Sequence, residues 1–206
     1  MILGPRIRTG INGNTALLIW FVALFITVAA ALFTAKELRQ KEQISEAITT
    51  LKPSENPYHF SVNKNMWIPE EYDDTKYIFK EVPHTNPGFR NNFRGIPEVT
   101  FLYTTDSISR IELITSSHGG SKKEALIKAK GIGYNLRVEG NHVLLDPLFT
   151  IPAKEKFRAQ DVTIRISLAE GTVFTVCDHL EDIAYPWFLD EDKTYIAKNN
   201  EIKKMP

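Results

Sequence analysis

An uninterrupted apolar segment near the N-terminus constrains this chain more than any other feature. Residues 15–35 are 21 consecutive amino acids without a charged side chain. As an α-helix the segment would be about 31 Å long, which matches the hydrocarbon thickness of a bilayer. Its only polar side chains are Thr15, Thr27 and Thr34, whose hydroxyls can bond to carbonyls of their own helix, so the polar stripe of a soluble helix is missing. The segment therefore predicts a transmembrane helix.

A cleaved signal peptide is the competing interpretation of the same segment. Arg6 and Arg8 would form its basic start, and Ala29 and Ala31 the small pair before the cleavage site. The apolar run is long for a signal peptide and continues past that site, which favours an uncleaved span. The flanking charges do not determine the orientation, because two arginines precede the span and three basic residues follow it closely.

The composition indicates a folded domain without a strong net charge. The chain has 206 residues, and 43% of them are hydrophobic, which is enough for a proper core. The 25 basic and 25 acidic residues balance, so no basic field is available to bind nucleic acid through its phosphates. A single cysteine, Cys177, excludes a disulfide within this chain and a metal site built from several thiolates.

The segment after the apolar run predicts a helical stalk. Residues 36–51 are charged and contain neither glycine nor proline, so we expect them to prolong the helix. Ile44, Ile48 and Leu51 are spaced as one helix face through which two copies of the chain can pair as a homo-oligomer. The repeat is too short to define a coiled coil, so a solvated stalk is the favoured interpretation. Two prolines then end the helix, which gives a stalk and linker over residues 36–57.

Beyond residue 97 the pattern changes to alternating apolar and polar residues, as in half-buried β-strands. Turn signals such as Gly140-Asn141 separate the runs. One helix interrupts them: Ser121 can cap its N-terminus, Glu124 completes a capping box, and Gly131 ends it. Between residues 56 and 97 one strand is expected, at residues 76–82, and the rest of that stretch is expected to be mostly connection. The later strands are expected at Val99, Phe101 and Tyr103, at Ile111 and Leu113, at Tyr134, Leu136 and Val138, at Val143 and Leu145, at Val162, Ile164, Ile166 and Leu168, and at residues 172–176.

Catalytic and metal-binding patterns are weak in this sequence. No two of the histidines have the i, i+4 spacing that places two imidazoles on one metal ion, so a shared site would need their segments to meet in the fold. Acidic clusters at residues 178–182 and 190–192 lack the ligand spacing of a calcium loop. A hydrolase that uses Asp178 and His179 is the weakest hypothesis, because their spacing defines no mechanism. We expect no enzymatic activity, no cofactor and no metal. The histidines are His59, His84, His118, His142 and His179.

An aromatic stretch at residues 184–189 is the candidate interaction site. Tyr185, Trp187 and Phe188 lie within it and can form an exposed patch that binds a partner protein. The alternative is that this connection packs over the core, since large aromatic side chains are usually buried.

A series of short motifs runs through the second half of the chain. In order they are Gly120-Ser121-Lys122-Lys123-Glu124-Ala125, Ala129-Lys130, Tyr134-Asn135, Gly140-Asn141, Leu145-Asp146-Pro147, Ile151-Pro152, Lys156-Phe157-Arg158-Ala159-Gln160-Asp161-Val162 and Ile166-Ser167-Leu168-Ala169-Glu170-Gly171-Thr172. Over residues 108–176 this series resembles the C-terminal region of PspC-type (phage shock protein C) membrane proteins of Bacteroidetes-like bacteria. A membrane helix before such a region is also similar.

The resemblance implies a β-rich, solenoid-like domain called a toast rack, held outside the cytoplasm by its membrane helix in proteins linked to envelope stress. Two departures matter. The short PspC domain proper is absent on the N-terminal side, and residues 194–198 stand where the family has a tryptophan-led motif. The resemblance supplies no catalytic residues.

Together these observations predict a mainly β fold of short stacked strands with one inserted helix, preceded by a single transmembrane helix. The expected parts are an N-terminal tail at residues 1–14, the span at 15–35, the stalk and linker at 36–57 and an extracytoplasmic β domain at 58–206. The expected location is the bacterial inner membrane, in a single pass.

The leading function is non-catalytic sensing or regulation of envelope stress. Besides the lipid bilayer, the expected partners are other envelope proteins, including one that carries a PspC domain, and we expect no nucleic acid. The alternative is a structural or adhesive cell-surface protein.

Overall fold

The computed structural model describes residues 13–52, 56–63, 77–78, 92–152, 155, 158–177, 180, 183–185, 189–190 and 192–206. The helices of these residues are α1 (Gly13–Glu37) and α2 (Lys122–Lys130). The strands are β1 (Gln40–Leu51), β2 (Tyr58–Val62), β3 (Tyr77–Ile78), β4 (Asn92–Gly95), β5 (Glu98–Tyr103), β6 (Ser109–Gly119), β7 (Leu136–Glu139), β8 (His142–Leu145), β9 (Phe149–Pro152), β10 (Asp161–Leu168), β11 (Val173–Val176), β12 (Ala184–Tyr185), β13 (Lys193–Lys198) and β14 (Glu201–Lys204).

Helix α1 contains the whole of the predicted span. Its segment Asn14–Glu37 is long and apolar enough to cross a membrane, and its large apolar side chains are exposed rather than packed against the domain. The hydroxyls of Thr27 and Thr34 each donate to the carbonyl four residues earlier, at 2.9 and 3.0 Å. Such bonds satisfy a hydroxyl where no water is available. The helical conformation of the apolar segment is therefore confirmed.

The predicted helical stalk is wrong. The helix ends at Glu37, and after two residues the chain continues as β1, a strand of twelve residues. This strand pairs antiparallel with β6 from end to end, apart from a bulge between Ala47 and Thr49. The long ladder gives every second backbone group of β1 a partner within the domain and outweighs the local preference for helix. Ile48 falls in the bulge and is exposed, so the helix face proposed for homo-oligomerisation does not exist.

Three stacked coils form the centre of the domain, and each coil contributes one strand to each of two sheets. In the six-stranded sheet, β2 lies between β8 and β11 and pairs parallel with both. In the five-stranded sheet, β5 lies between β10 and β12 and again pairs parallel with both. The coils are therefore β8 to β10, β2 to β5, and β11 to β12. This is the stacked, toast-rack-like arrangement that the sequence predicts, and the coil that comes first in the chain is the middle one.

Antiparallel strands extend both sheets beyond the coils. The five-stranded sheet has the order β1-β6-β10-β5-β12, and the six-stranded sheet has the order β14-β13-β11-β2-β8-β7. A smaller sheet, β3-β4-β9, lies beside them. Helix α2 packs against β6 and β1, so it covers the part of the five-stranded sheet that lies farthest from β12.

Aromatic side chains fill the space between the two large sheets. The rings of Phe60 and Phe101 meet edge to face with centroids 5.1 Å apart, and Phe101 stacks on Phe174, also at 5.1 Å. Tyr195 stacks on the other side of Phe174 at 5.5 Å. All four side chains are fully buried. Such pairs add to the stabilisation that burial alone provides.

The predicted cap of α2 is confirmed. The backbone N–H of Glu124 donates to Ser121 Oγ at 3.2 Å, while the Glu124 carboxylate accepts from the N–H of Gly120 at 3.0 Å. The reciprocal bond of the capping box is therefore displaced by one residue. Ala125 and Ala129 form the buried face of the helix.

The alternating pattern located five of the core strands but missed β2 and β13, which carry the buried Phe60 and Tyr195, so the expectation that the chain before residue 76 is mostly connection is wrong for β2. The pattern predicted β5, β6, β8, β10 and β11, and the turn before β8 contains Gly140 with φ of +60°. Strand β7 begins at Leu136, two residues later than expected. Of the strand predicted at residues 76–82, only Tyr77–Ile78 is described, and the remainder lies outside the described residues.

The register of β10 gives a stability prediction. Val162, Ile164, Ile166 and Leu168 are fully buried, whereas Arg165 is exposed. We expect Ile166→Ala to lower the free energy of unfolding by about 2 to 5 kcal/mol, because it removes buried methyl groups and leaves a cavity. Arg165→Ala is the matched control and should change stability little. Thermal unfolding of the full chain in detergent measures both, and equal losses would contradict this register.

Candidate functional site: the junction of helix α1 and the β domain

The apolar helix passes into the domain with almost no linker. Only Leu38 and Arg39 separate α1 from β1, and their N–H groups donate to the carbonyls of Thr34 and Lys36 at 3.1 and 3.4 Å. A Cβ atom added to Gly120 would lie 3.7 Å from the Lys36 carbonyl oxygen. The start of α2 therefore lies against the last turn of α1, and the β domain begins where α1 ends.

An ion pair ties the end of α1 to a distant part of the chain. The guanidinium of Arg158 donates to the carboxylate of Glu37, and these side chains are only 11% and 27% exposed. A carboxylate in the last turn of a helix is opposed by the helix dipole. Arg158 offsets that unfavourable position. Because the pair is partly shielded from water, salt screens it less than an exposed pair.

The backbone around Arg158 is held in a special conformation. Its N–H donates to Oε1 of the buried Gln160 at 2.6 Å, and its carbonyl accepts from the N–H of His118 at 3.0 Å. Between Arg158 and Gln160, Ala159 has φ of +49°, a left-handed conformation that a residue with a Cβ adopts only at a cost. The surrounding contacts fix this turn and so direct Arg158 toward α1.

The neighbouring part of β6 is polar as well. Ser116 Oγ and His118 Nδ1 are buried and have no hydrogen-bond partner among the described residues. Asp161 of β10 is directly opposite Ser116 in the register. Buried polar groups are costly unless they are paired, so this polar region contrasts with the aromatic centre of the domain and is not explained by core packing.

A small pocket lies at the C-terminal end of β1, the end farther from α1. It has a volume of about 150 Å³ and is lined by residues that include Tyr58, Ser109 and Thr172. The hydroxyls of Ser109 and Thr172 are 3.0 Å apart, and the hydroxyl of Tyr58 donates to the carbonyl of Lys52. Burial raises the pKa of Tyr58, which keeps its phenol protonated. These polar groups already form hydrogen bonds within the fold.

The described residues contain no group of three His, Cys, Asp or Glu side chains arranged to hold a metal ion. The aromatic stretch is only partly described. Tyr185 lies in β12, the edge strand opposite β1 in the five-stranded sheet, but its side chain, Trp187 and Phe188 lie outside the described residues. Their role in partner binding stays a prediction. Leu189, at the end of the stretch, is buried in the core.

Sequence reasoning missed the two main residues of the junction. Glu37 carried a signal, because an acidic residue at the C-terminal end of a helix calls for a compensating cation. Nothing in the sequence identified Arg158 as that cation, since 121 positions separate the two residues.

The ion pair leads to a stability prediction. Arg158→Gln should lower the free energy of unfolding by about 2 kcal/mol, because it leaves a partly buried carboxylate without its charged partner. For a domain of this size that corresponds to a decrease of about 4 to 8 °C in Tm. The control is Arg165→Gln, which removes a more exposed contact of 3.5 Å with Glu112 and should change Tm little. Equal values for wild type and Arg158→Gln in detergent would contradict the assigned role.

Comparison with known proteins supports the family resemblance and extends it beyond the residues that carry the motifs. A family model described as the toast rack found in some PspC proteins matches residues 95–205, which is more than half of the chain. The match includes β5 as well as β13 and β14, beyond the residues where the motifs resemble the family. Neither the curated proteins nor the solved structures contain a match. With its stacked coils, its apolar N-terminal helix and this match, the chain belongs to the family of toast-rack domains found in the C-terminal region of some PspC proteins.

Proposed function

We propose that this chain is a single-pass protein of the bacterial inner membrane whose toast-rack domain faces away from the cytoplasm and senses or regulates envelope stress through contacts with other proteins. The candidate membrane helix and the family match fit a membrane protein. The assignment of the domain to the side away from the cytoplasm rests on the family resemblance, because the numbers of basic residues on the two sides of the span are similar.

The junction is the observation that carries this proposal. Only two residues separate α1 from β1, and the pair of Glu37 with Arg158 joins the helix to the segment before β10. A flexible linker would absorb a force applied to the domain, but this connection is short and held at two points. Movement of the five-stranded sheet therefore moves the end of the span, which is what a membrane-anchored sensor requires.

Strand β1 supplies a surface for a partner. It is an edge strand, and among the described residues it pairs only with β6. An edge strand presents unpaired N–H and C=O groups that can accept a strand from another chain. Lys41, Glu42 and Glu46, together with the bulge at Ile48, limit indiscriminate pairing. The partner that fits is an envelope protein with a charge-matched strand, and one carrying a PspC domain is the first to test.

The proposed role is non-catalytic. The hydrogen bonds within the pocket support it, since the hydroxyls of Tyr58, Ser109 and Thr172 already have partners. The tight junction also favours regulation over an adhesive role, in which a domain usually benefits from a long, flexible connection to the membrane.

The orientation can be tested by labelling. Ser107 is exposed at the far end of the domain from α1, and Ser107→Cys in a Cys177→Ser background gives a single accessible thiol. We expect a membrane-impermeant maleimide to label this variant in intact spheroplasts. The Cys177→Ser protein alone is the control and should stay unlabelled. Labelling of Ser107→Cys only after the membrane is opened would reverse the topology.

The sensing role can be tested at the junction itself. We expect deletion of the gene to alter transcription of envelope-stress genes after membrane damage. Insertion of Gly-Gly-Ser between Leu38 and Arg39 should have the same effect, although the protein is still made and inserted, because the helix and the domain are uncoupled. The same insertion in the exposed loop at Asp106 is the matched control and should behave as wild type.

Two results would contradict this role. Unchanged stress transcription together with loss of surface attachment in the deletion strain would support the adhesive alternative. A wild-type response from the Leu38–Arg39 insertion would show that coupling through the junction is not needed.

A further inference from the structure

Two histidines from distant parts of the sequence stack on the outer face of the six-stranded sheet. His59 of β2 and His142 of β8 are directly opposite in the parallel register. Their ring centroids are 4.9 Å apart, with an angle of 19° between the ring planes. The neighbouring residues Phe60 and Val143 fill the inner face of the sheet, so the two imidazoles lie on the solvent side. Core packing does not account for this pair.

A hydrogen bond with Thr175 orients the His59 ring. Thr175 Oγ1 lies 2.7 Å from His59 Nδ1, and the same hydroxyl donates its one proton to the carbonyl of Tyr58 at 3.4 Å. The Thr175 oxygen is therefore positioned to accept a hydrogen bond from the tautomer of His59 that carries its proton on Nδ1. The lone pair of the neutral ring is then on Nε2, the ring nitrogen farther from the backbone.

The contact of His59 with Thr175 is of the kind that orients metal-binding histidines. A ligating imidazole usually donates its second ring N–H to an acceptor, which fixes the orientation of the ring. Thr175 provides that acceptor for His59. In the stack the in-plane lone pairs of the two rings run side by side, so binding of a shared ion requires the exposed His142 to turn its ring toward it. Glu139 of β7 is directly opposite His142, so its carboxylate lies on the same face and favours a cation there.

We propose that His59 and His142 bind a divalent late transition metal ion, Zn²⁺ or Cu²⁺, through the Nε2 atom of each ring, with water completing the coordination. Imidazole suits these ions, whereas Mg²⁺ and Ca²⁺ prefer oxygen ligands. Spacing along the chain gave no reason to expect a metal. The pairing of β2 with β8 brings the two imidazoles together.

Calorimetric titration of the full chain in detergent, purified without a histidine tag, tests this proposal. We expect one site per chain for ZnCl₂ or CuCl₂, tighter binding of Cu²⁺ than of Zn²⁺, and no binding of MgCl₂. His59→Gln and His142→Gln should each abolish the binding of Zn²⁺. Thr175→Val keeps both imidazoles but removes the acceptor, and should weaken binding by about 10- to 100-fold.

Two control variants locate the site. Ser61→Ala changes the next outward-facing residue of β2 and should bind Zn²⁺ as wild type does. Cys177→Ser should also retain binding, although Cys177 Sγ lies 3.7 Å from Thr175 Oγ1. Circular dichroism verifies that each variant is folded. Wild-type affinity in His142→Gln, or loss of binding in Cys177→Ser, would overturn the proposal, because the ion would then lie elsewhere.

Discussion

The contact of Phe101 with Phe60 and Phe174 holds the centre of this domain together. Phe60 and Phe101 belong to the middle coil and approach each other from opposite sheets, while Phe174 comes from the next coil. One set of rings therefore closes a coil on itself and also stacks it on its neighbour. The outer strands, α2 and finally α1 attach to this centre from the sides. These rings lie in one continuous core cluster with the buried aliphatic residues of both sheets.

Five strands that bury one face were predicted, because their alternation is a local property of the sequence, but β2 alternates in the same way over only five residues and was missed. Ile164 and Ile166 fall where the pattern puts them, and Ser121 caps α2 as its spacing with Glu124 indicates. Strand β1 could not be predicted in this way. It lies at an edge, where most of its side chains face water, so its sequence has the charged pattern that predicts a solvated helix. Only its hydrogen bonds with β6 stabilise the strand conformation. Long-range pairing, which no local pattern encodes, decides its conformation.

The two sites depend on the same kind of long-range encounter. Glu37 meets Arg158, and His59 meets His142, only because the coils stack in a particular order. Spacing rules for metal sites and salt bridges apply within one helix or one loop. They do not predict contacts between residues on neighbouring coils. The sites also differ in what they join: the ion pair connects helix α1 to the domain, whereas a metal ion on the two imidazoles would connect the middle coil to the coil beside it.

The order of the coils has a consequence for the way the chain matures. The middle coil is synthesised before the other two coils. Strand β2 therefore cannot complete its pairing until β8 on one side and β11 on the other have been made. About 110 residues separate the end of β2 from Phe174, which at typical rates of translation takes about 6 to 22 s. Until β8 and β11 have been made, β2 lacks its neighbours on both sides, although α1 is already complete. We therefore expect the nascent domain to be prone to aggregation until its last third has been made.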